Sequence, residues 1–115
     1  MQSIVRFNDA TSQNVVFTNS TSTTGGFATA VHSGAMLLVS ATSSGGAVTL
    51  TFRTKPTESS ADIFTACDAS NAPVTRAVQP GRAYAVPDEL FAAAYVMATT
   101  ANAGETVTCR VLTKS

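Results

Sequence analysis

Apolar and polar residues alternate along two segments of the chain, and this pattern predicts β-strands. In Ala47–Arg53 the apolar positions are Val48, Leu50 and Phe52, and threonine or arginine stands after each of them. The segment Thr106–Val111 alternates in the same way. Because successive side chains of a strand point to opposite faces, each segment has one apolar and one polar face. Such strands are typical of an antiparallel sheet with one face on a core and the other in water.

Shorter apolar segments, separated by turn residues, occupy much of the remaining chain. The run Met36–Ala41 is apolar almost throughout, which predicts a central strand. The turn Ser43–Gly46 follows it and predicts a hairpin with the alternating strand that begins near Ala47. Pro87–Leu90 predicts a single helical turn, with proline at the first helical position and acidic residues in the first turn. Further strands are predicted at residues 3–7, 14–18, 27–31, 63–67, 74–78, 84–86 and 95–98.

These elements predict an all-β protein. No segment has the apolar period of a helix of ordinary length. The regular spacing of strands and turns favours an antiparallel β-sandwich, jelly-roll or immunoglobulin-like, with roughly eight to ten short strands and no long helix.

A polar tract divides the predicted elements into two parts. Residues 18–26 are serine, threonine, asparagine and glycine only, a composition that cannot bury enough apolar surface to offset the entropy of ordering. We therefore predict an N-terminal arm or hairpin with a Ser/Thr-rich linker over residues 1–26, and a β-sandwich domain over residues 27–115.

Charge is scarce. The 115 residues include 44% hydrophobic and 12% charged residues, and the seven basic and seven acidic side chains give a net charge of zero. Up to Phe52 the only charged residues are Arg6 and Asp9. Without basic stripes the chain has no electrostatic means of binding nucleic acid. A surface near zero charge also tends to associate, which favours a homo-oligomer or a subunit of a larger assembly.

Neither a signal peptide nor a membrane span is expected. The N-terminus lacks a basic segment followed by a long apolar one, and Ala35–Val39 is too short to cross a bilayer. This favours a protein made in a cytoplasm, where cysteines remain thiols. Cys67 and Cys109 both lie in alternating segments, and we expect two buried free thiols rather than a disulfide.

The chain offers little catalytic chemistry. His32 is the single histidine and stands near a turn, where a surface or capping role is the ordinary one. Asp88 and Glu89 are adjacent, so their carboxylates diverge, and capping the helical turn suits them better than acid–base catalysis. Tyr84 and Tyr95 lie within predicted strands, where core or interface packing is expected. We predict neither an enzyme nor a cofactor or metal site.

Three segments resemble the small β-sandwich virion proteins of tailed bacteriophages, above all head decoration (cement) proteins. The segments are Gly34–Ser40, Val48–Phe52 and Pro80–Leu90. The resemblance implies a structural virion protein, a symmetric oligomer and commonly a trimer. Such a protein binds the major capsid protein or other virion proteins in particles assembled in the host cytoplasm, and it stabilises the head through protein–protein contacts.

An extended arm can add a strand to the open sheet edge of a neighbour. We expect the partner contact in residues 2–18, with Val5, Phe7, Val15 and Phe17 as apolar anchors. Two other classes remain open. One is a different virion component, from the tail, baseplate or fibre. The other is a β-sandwich that binds a carbohydrate or another ligand, although exposed aromatic platforms are sparse.

Overall fold

The part of the chain that the structure describes forms nine strands and one short 3₁₀ helix. The computed structural model describes residues 11–19, 26–29 and 34–114. The strands are antiparallel throughout, and the only helical element in the described ranges is the 3₁₀ helix, so the prediction of an all-β sandwich is confirmed. The strands are β1 (Thr11–Phe17), β2 (Gly26–Ala28), β3 (Gly34–Thr42), β4 (Val48–Lys55), β5 (Phe64–Thr65), β6 (Thr75–Val78), β7 (Arg82–Ala85), β8 (Tyr95–Thr100) and β9 (Val107–Lys114), with the 3₁₀ helix at Asp88–Ala92.

The strands form two sheets whose pairs are nested along the chain. The first sheet has the order β1-β9-β3-β7, and the second has the order β2-β8-β4-β5, with β6 also paired to β4. Thus β1 pairs with β9, β2 with β8, β3 with β7, and β4 with β5 and β6. A chain folded back on itself in this nested manner, alternating between two sheets, is a jelly roll. Of the two sandwich types that the sequence left open, the jelly roll is the one formed.

The alternating segments supply the core between the sheets. Val48, Leu50 and Phe52 on β4 are at most 1% exposed, as the period-2 pattern predicted. On β9 the buried positions are Val107, Cys109 and Val111, which also agrees with the pattern. The core further includes Val15, Phe17, Phe27, Ala35, Leu37, Val39, Ala66, Val78, Val86, Leu90, Val96 and Ala98.

The predicted hairpin at Ser43–Gly46 is wrong. The turn is present, but β3 pairs with β7 and β9, whereas β4 pairs with strands of the other sheet. The turn therefore carries the chain across the core from one sheet to the other. Serine and glycine favour the turn itself, and the partners of its two strands are set by contacts distant in sequence.

The predicted boundary between arm and sandwich does not hold for residues 11–17. All seven residues of β1 pair with β9, from Thr11 opposite Thr113 to Phe17 opposite Val107. Beyond β1, the Asn19 side-chain amide donates a hydrogen bond of 2.8 Å to the Thr100 carbonyl of the second sheet. This segment is part of the sandwich, because its alternating apolar side chains complete the core. The predicted strand at residues 3–7 and most of the polar tract lie outside the described residues.

Candidate functional site

The apolar side chains predicted to anchor a partner do not form a described surface. Val15 and Phe17 point into the core and are 4% and 0% exposed, so in the folded sandwich neither is available to a partner. Val16 lies between them, points outwards and is 48% exposed. Val5 and Phe7 lie outside the described residues.

The outward side of the first sheet carries large apolar side chains. Met36 on β3 lies opposite Leu112 on β9, and the neighbouring Leu38 lies opposite Arg110. Met36 is 40% exposed, and Leu38 and Leu112 are half-buried. A solvated sheet face ordinarily carries polar residues, and an exposed apolar patch ringed by polar ones marks an interaction site. We refer to this surface as the outer face; it comprises Val16, Met36, Leu38, Ala83, Arg110 and Leu112.

A groove of about 470 Å³ crosses the outer face. The groove runs over β1, β9, β3 and the start of β7. Both apolar and polar residues line it. No aromatic ring is among the described residues that line it. The outward-pointing side chains that line it are Asn14, Val16, Leu38, Ser40, Ala83, Thr108 and Arg110, and Arg82, which lies opposite the core residue Val39, lines the groove where β7 begins.

The charge at the groove comes from two exposed arginines, Arg82 and Arg110, which we refer to as the face arginines. Neither arginine side chain makes a hydrogen bond or an ion pair with any other described residue. Arginines of the second sheet differ in this respect. Arg53 donates hydrogen bonds to Thr99 and Thr65, of 3.1 Å and 2.7 Å. Arg76 donates to the backbone carbonyl of Ala85. The face arginines therefore carry positive charge that the described part of the chain leaves uncompensated.

The outward side of the second sheet is closed around β8. Tyr95, Met97 and Thr99 point away from the core, yet they are only 6%, 1% and 3% exposed. The buried Lys55 lies beside them, with its Nζ 4.7 Å from the centroid of the Tyr95 ring, a cation–π geometry. Its ammonium also donates a hydrogen bond to the carbonyl of Glu58. These contacts hold the Lys55 and Tyr95 side chains against each other, and they leave no open surface over β8 for a ligand.

Tyr95 packs directly on a glycine of the neighbouring strand. A Cβ at Gly26 would lie 2.3 Å from Cε2 of the Tyr95 ring, which no side chain tolerates. Burial raises the pKa of Tyr95, the negative charge of Glu58 adds to this effect, and a hydrogen bond with the Gly26 backbone opposes it. A buried, packed phenol of this kind has a structural role.

The two cysteines differ in environment. Both are free thiols, as predicted. Cys109 lies in the core, and burial raises its pKa to about 12. The prediction that Cys67 is buried is wrong, because its neighbour Ala66 takes the core position and Cys67 faces solvent.

Other candidate chemistry is sparse in the described residues. They contain no group of three or more histidine, cysteine, aspartate or glutamate residues able to hold a metal ion. Nor do they contain a helix long and apolar enough to span a membrane. Asp88 and Glu89 lie in the first turn of the 3₁₀ helix, with Pro87 as its N-cap rather than its first residue, and no side-chain hydrogen bond caps the helix. His32 lies outside the described residues.

Comparison with protein-family models, curated proteins and solved structures found no match for this chain. Among the described residues the outer face is the best-defined candidate site, and it was not predicted from the sequence. A signal for it exists in Ala35–Val39, which is apolar at consecutive rather than alternate positions. The overlapping run Met36–Ala41 predicts a central strand, and β3 does lie between β9 and β7. The same run also places apolar side chains on the outward side.

Proposed function

We propose that this chain is a structural subunit of a tailed-bacteriophage virion, of the head decoration or cement type. It acts by binding other virion proteins, the major capsid protein first among them, and it stabilises the head without catalysing a reaction. It functions as a homo-oligomer, with a trimer favoured. Its location is the virion, assembled in the host cytoplasm.

The observation that carries this proposal is the outer face. A cement protein contributes buried contact area, and the outer face offers apolar side chains on the outward side of a rigid sheet. The jelly-roll pairing adds support, because viral capsid proteins commonly use this architecture. That support is an analogy of fold, and the argument for function depends on the surface.

Two alternatives share part of this support. A tail, baseplate or fibre protein has the same need for a contact surface, and only its location distinguishes it from a cement protein. Lectin domains also use jelly rolls. A sugar-binding role is less favoured, because sugar-binding sites rely on exposed aromatic faces and the described lining of the groove has none.

The location can be measured directly. Particles of the virus that encodes the chain would be separated into heads and tails, and the protein quantified in each fraction with isotope-labelled peptides. We expect it in heads, at a copy number comparable to that of the capsid subunit. Recovery in tails alone would favour the tail alternative, and absence from both fractions would overturn the virion assignment.

A second experiment tests the outer face itself. Heads assembled without the protein would be mixed with purified protein and heated, and the temperature of DNA release recorded. We expect the wild-type protein to raise this temperature. Leu38→Glu, which places a carboxylate in the groove, should abolish the effect. Thr49→Glu is the matched control, because Thr49 is an exposed outward residue of the second sheet. Equal stabilisation by both variants would show that no contact required for stabilising heads lies on the outer face.

A further inference from the structure

The charges of the outer face have a counterpart elsewhere on the same chain. Asp88 and Glu89 are exposed on the 3₁₀ helix, and we refer to them as the turn carboxylates. Neither carboxylate makes a hydrogen bond or an ion pair with another described residue. By contrast, Glu105 accepts hydrogen bonds from Asn102, and Asp68 accepts them from backbone amides of its own turn. The turn carboxylates are therefore adjacent negative charges that the described part of the chain leaves unpaired.

The surroundings of the two charged groups also match. The face arginines lie among apolar side chains of the first sheet, such as Leu38 and Ala83. The turn carboxylates lie beside the half-buried Phe91 and the exposed Ala92. Glu89 also lines a second concavity, of about 570 Å³, together with apolar Val74 and Leu90. Each surface thus combines apolar area with charge of one sign, and the two signs are opposite.

We propose that the outer face binds the 3₁₀ helix of a second copy of this chain, with the turn carboxylates of one copy against the face arginines of the next. This inference rests on the proposed function and refines it: the outer face is buried between copies of the subunit, so Leu38→Glu would remove the stabilisation of heads by dissociating the oligomer that binds them. The apolar side chains supply contact area, and the charges select the partner and its orientation.

The position of Arg110 determines the symmetry of this contact. Strand β9 lies between β1 and β3, so Arg110 is near the middle of the outer face. Two outer faces packed on each other about a two-fold axis would bring identical arginines together, and such like-charge contacts are unfavourable. A contact between two different surfaces avoids this repulsion. Contacts of that kind repeat from copy to copy and close into a ring when the rotation allows.

The test is a charge exchange on the full-length protein, read by light scattering on a size-exclusion column. Reversing both face arginines to glutamate should weaken association by about ten- to a hundredfold, and reversing both turn carboxylates to arginine should do the same. The variant that carries all four changes has the net charge of the wild type. It should regain the wild-type ring.

A matched control separates specific pairing from net charge. Asp62→Arg with Ser59→Arg and Ala61→Arg changes the charge of exposed positions by the same amount at a different loop. Combined with the reversed face arginines, this set also restores zero net charge, but it should not restore the ring. Rescue by the control set, or failure of the four-residue variant to recover, would overturn the proposed contact.

The wild-type protein provides a measurement that does not depend on the folding of any variant. At 1 M NaCl the screening length falls to about 3 Å, so association should weaken relative to 0.05 M NaCl. A monomer at 100 µM in low salt, or a two-fold dimer insensitive to salt, would overturn the inference. Neither result bears on whether the protein is found in heads, so the proposed function is tested separately by the fractionation of virions.

Discussion

Replacing Phe17 by alanine tests whether β1 is part of the cooperative core. Phe17 has no exposed surface and packs within the core of the sandwich. An aromatic side chain buries about 150–250 Å², at roughly 25 cal/mol per Å². Because alanine keeps one methyl group and the surroundings relax only in part, we expect the free energy of unfolding to fall by about 3–5 kcal/mol. A domain of this size has a free energy of unfolding of only about 5–15 kcal/mol, so the loss should be conspicuous.

The assay is equilibrium unfolding in urea, with Val16→Ala as the matched control on the same strand. Val16 is 48% exposed and points outwards, so its truncation should cost no more than about 1 kcal/mol. With a slope near 2 kcal/mol per M, Phe17→Ala should lower the midpoint by about 2 M. If the two variants lower the midpoint equally, β1 is a peripheral arm and the argument from burial fails.

Three further outcomes follow from the packing. Gly26→Ala should lower the free energy of unfolding by about 1–3 kcal/mol, because its Cβ would collide with the ring of Tyr95. Gly34→Ala places its Cβ in open space and should change the thermal midpoint little. A thiol reagent at pH 8 should modify one thiol of the native protein, Cys67, and two after denaturation; rapid modification of both would contradict the burial of Cys109. Because burial raises the pKa of Cys109 from 9.0 to about 12, its thiol ionises first in the unfolded chain, so stability should fall as pH rises through this range. Urea titrations of Cys109→Ala should show a smaller fall.

The sequence predicts the strands because their signal is local. The alternation in Ala47–Arg53 depends only on which face each side chain occupies, and Val48, Leu50 and Phe52 are buried as expected. The ends of a strand are harder to predict than its position, because they depend on the neighbouring strands. The segment predicted as a strand at residues 63–67 retains only two residues as β5, although the Ala66 amide still donates a hydrogen bond to the Phe52 carbonyl of β4.

Pairing and the candidate site were harder to predict, because both depend on residues distant in the chain. Ser43–Gly46 has the same turn composition whether its strands pair or cross the core, and the crossing depends on β3 pairing with β9. The polar tract after Phe17 favoured a detached arm, but β1 is held by a strand almost a hundred residues later. The outer face combines residues of four strands and exists only once their register is set.

The nested pairing has a consequence for the order in which the protein is made. Strand β9 lies between β1 and β3 in the first sheet, although it contains the last residues described, Val107–Lys114. While the chain is being synthesised, β1 therefore waits for a partner until β9, almost a hundred residues later, has been made. Pairing between segments so distant in sequence is slow to form. The unpaired edge of β1 is open to other chains during that interval, so aggregation of nascent protein should depend on how quickly β9 emerges from the ribosome.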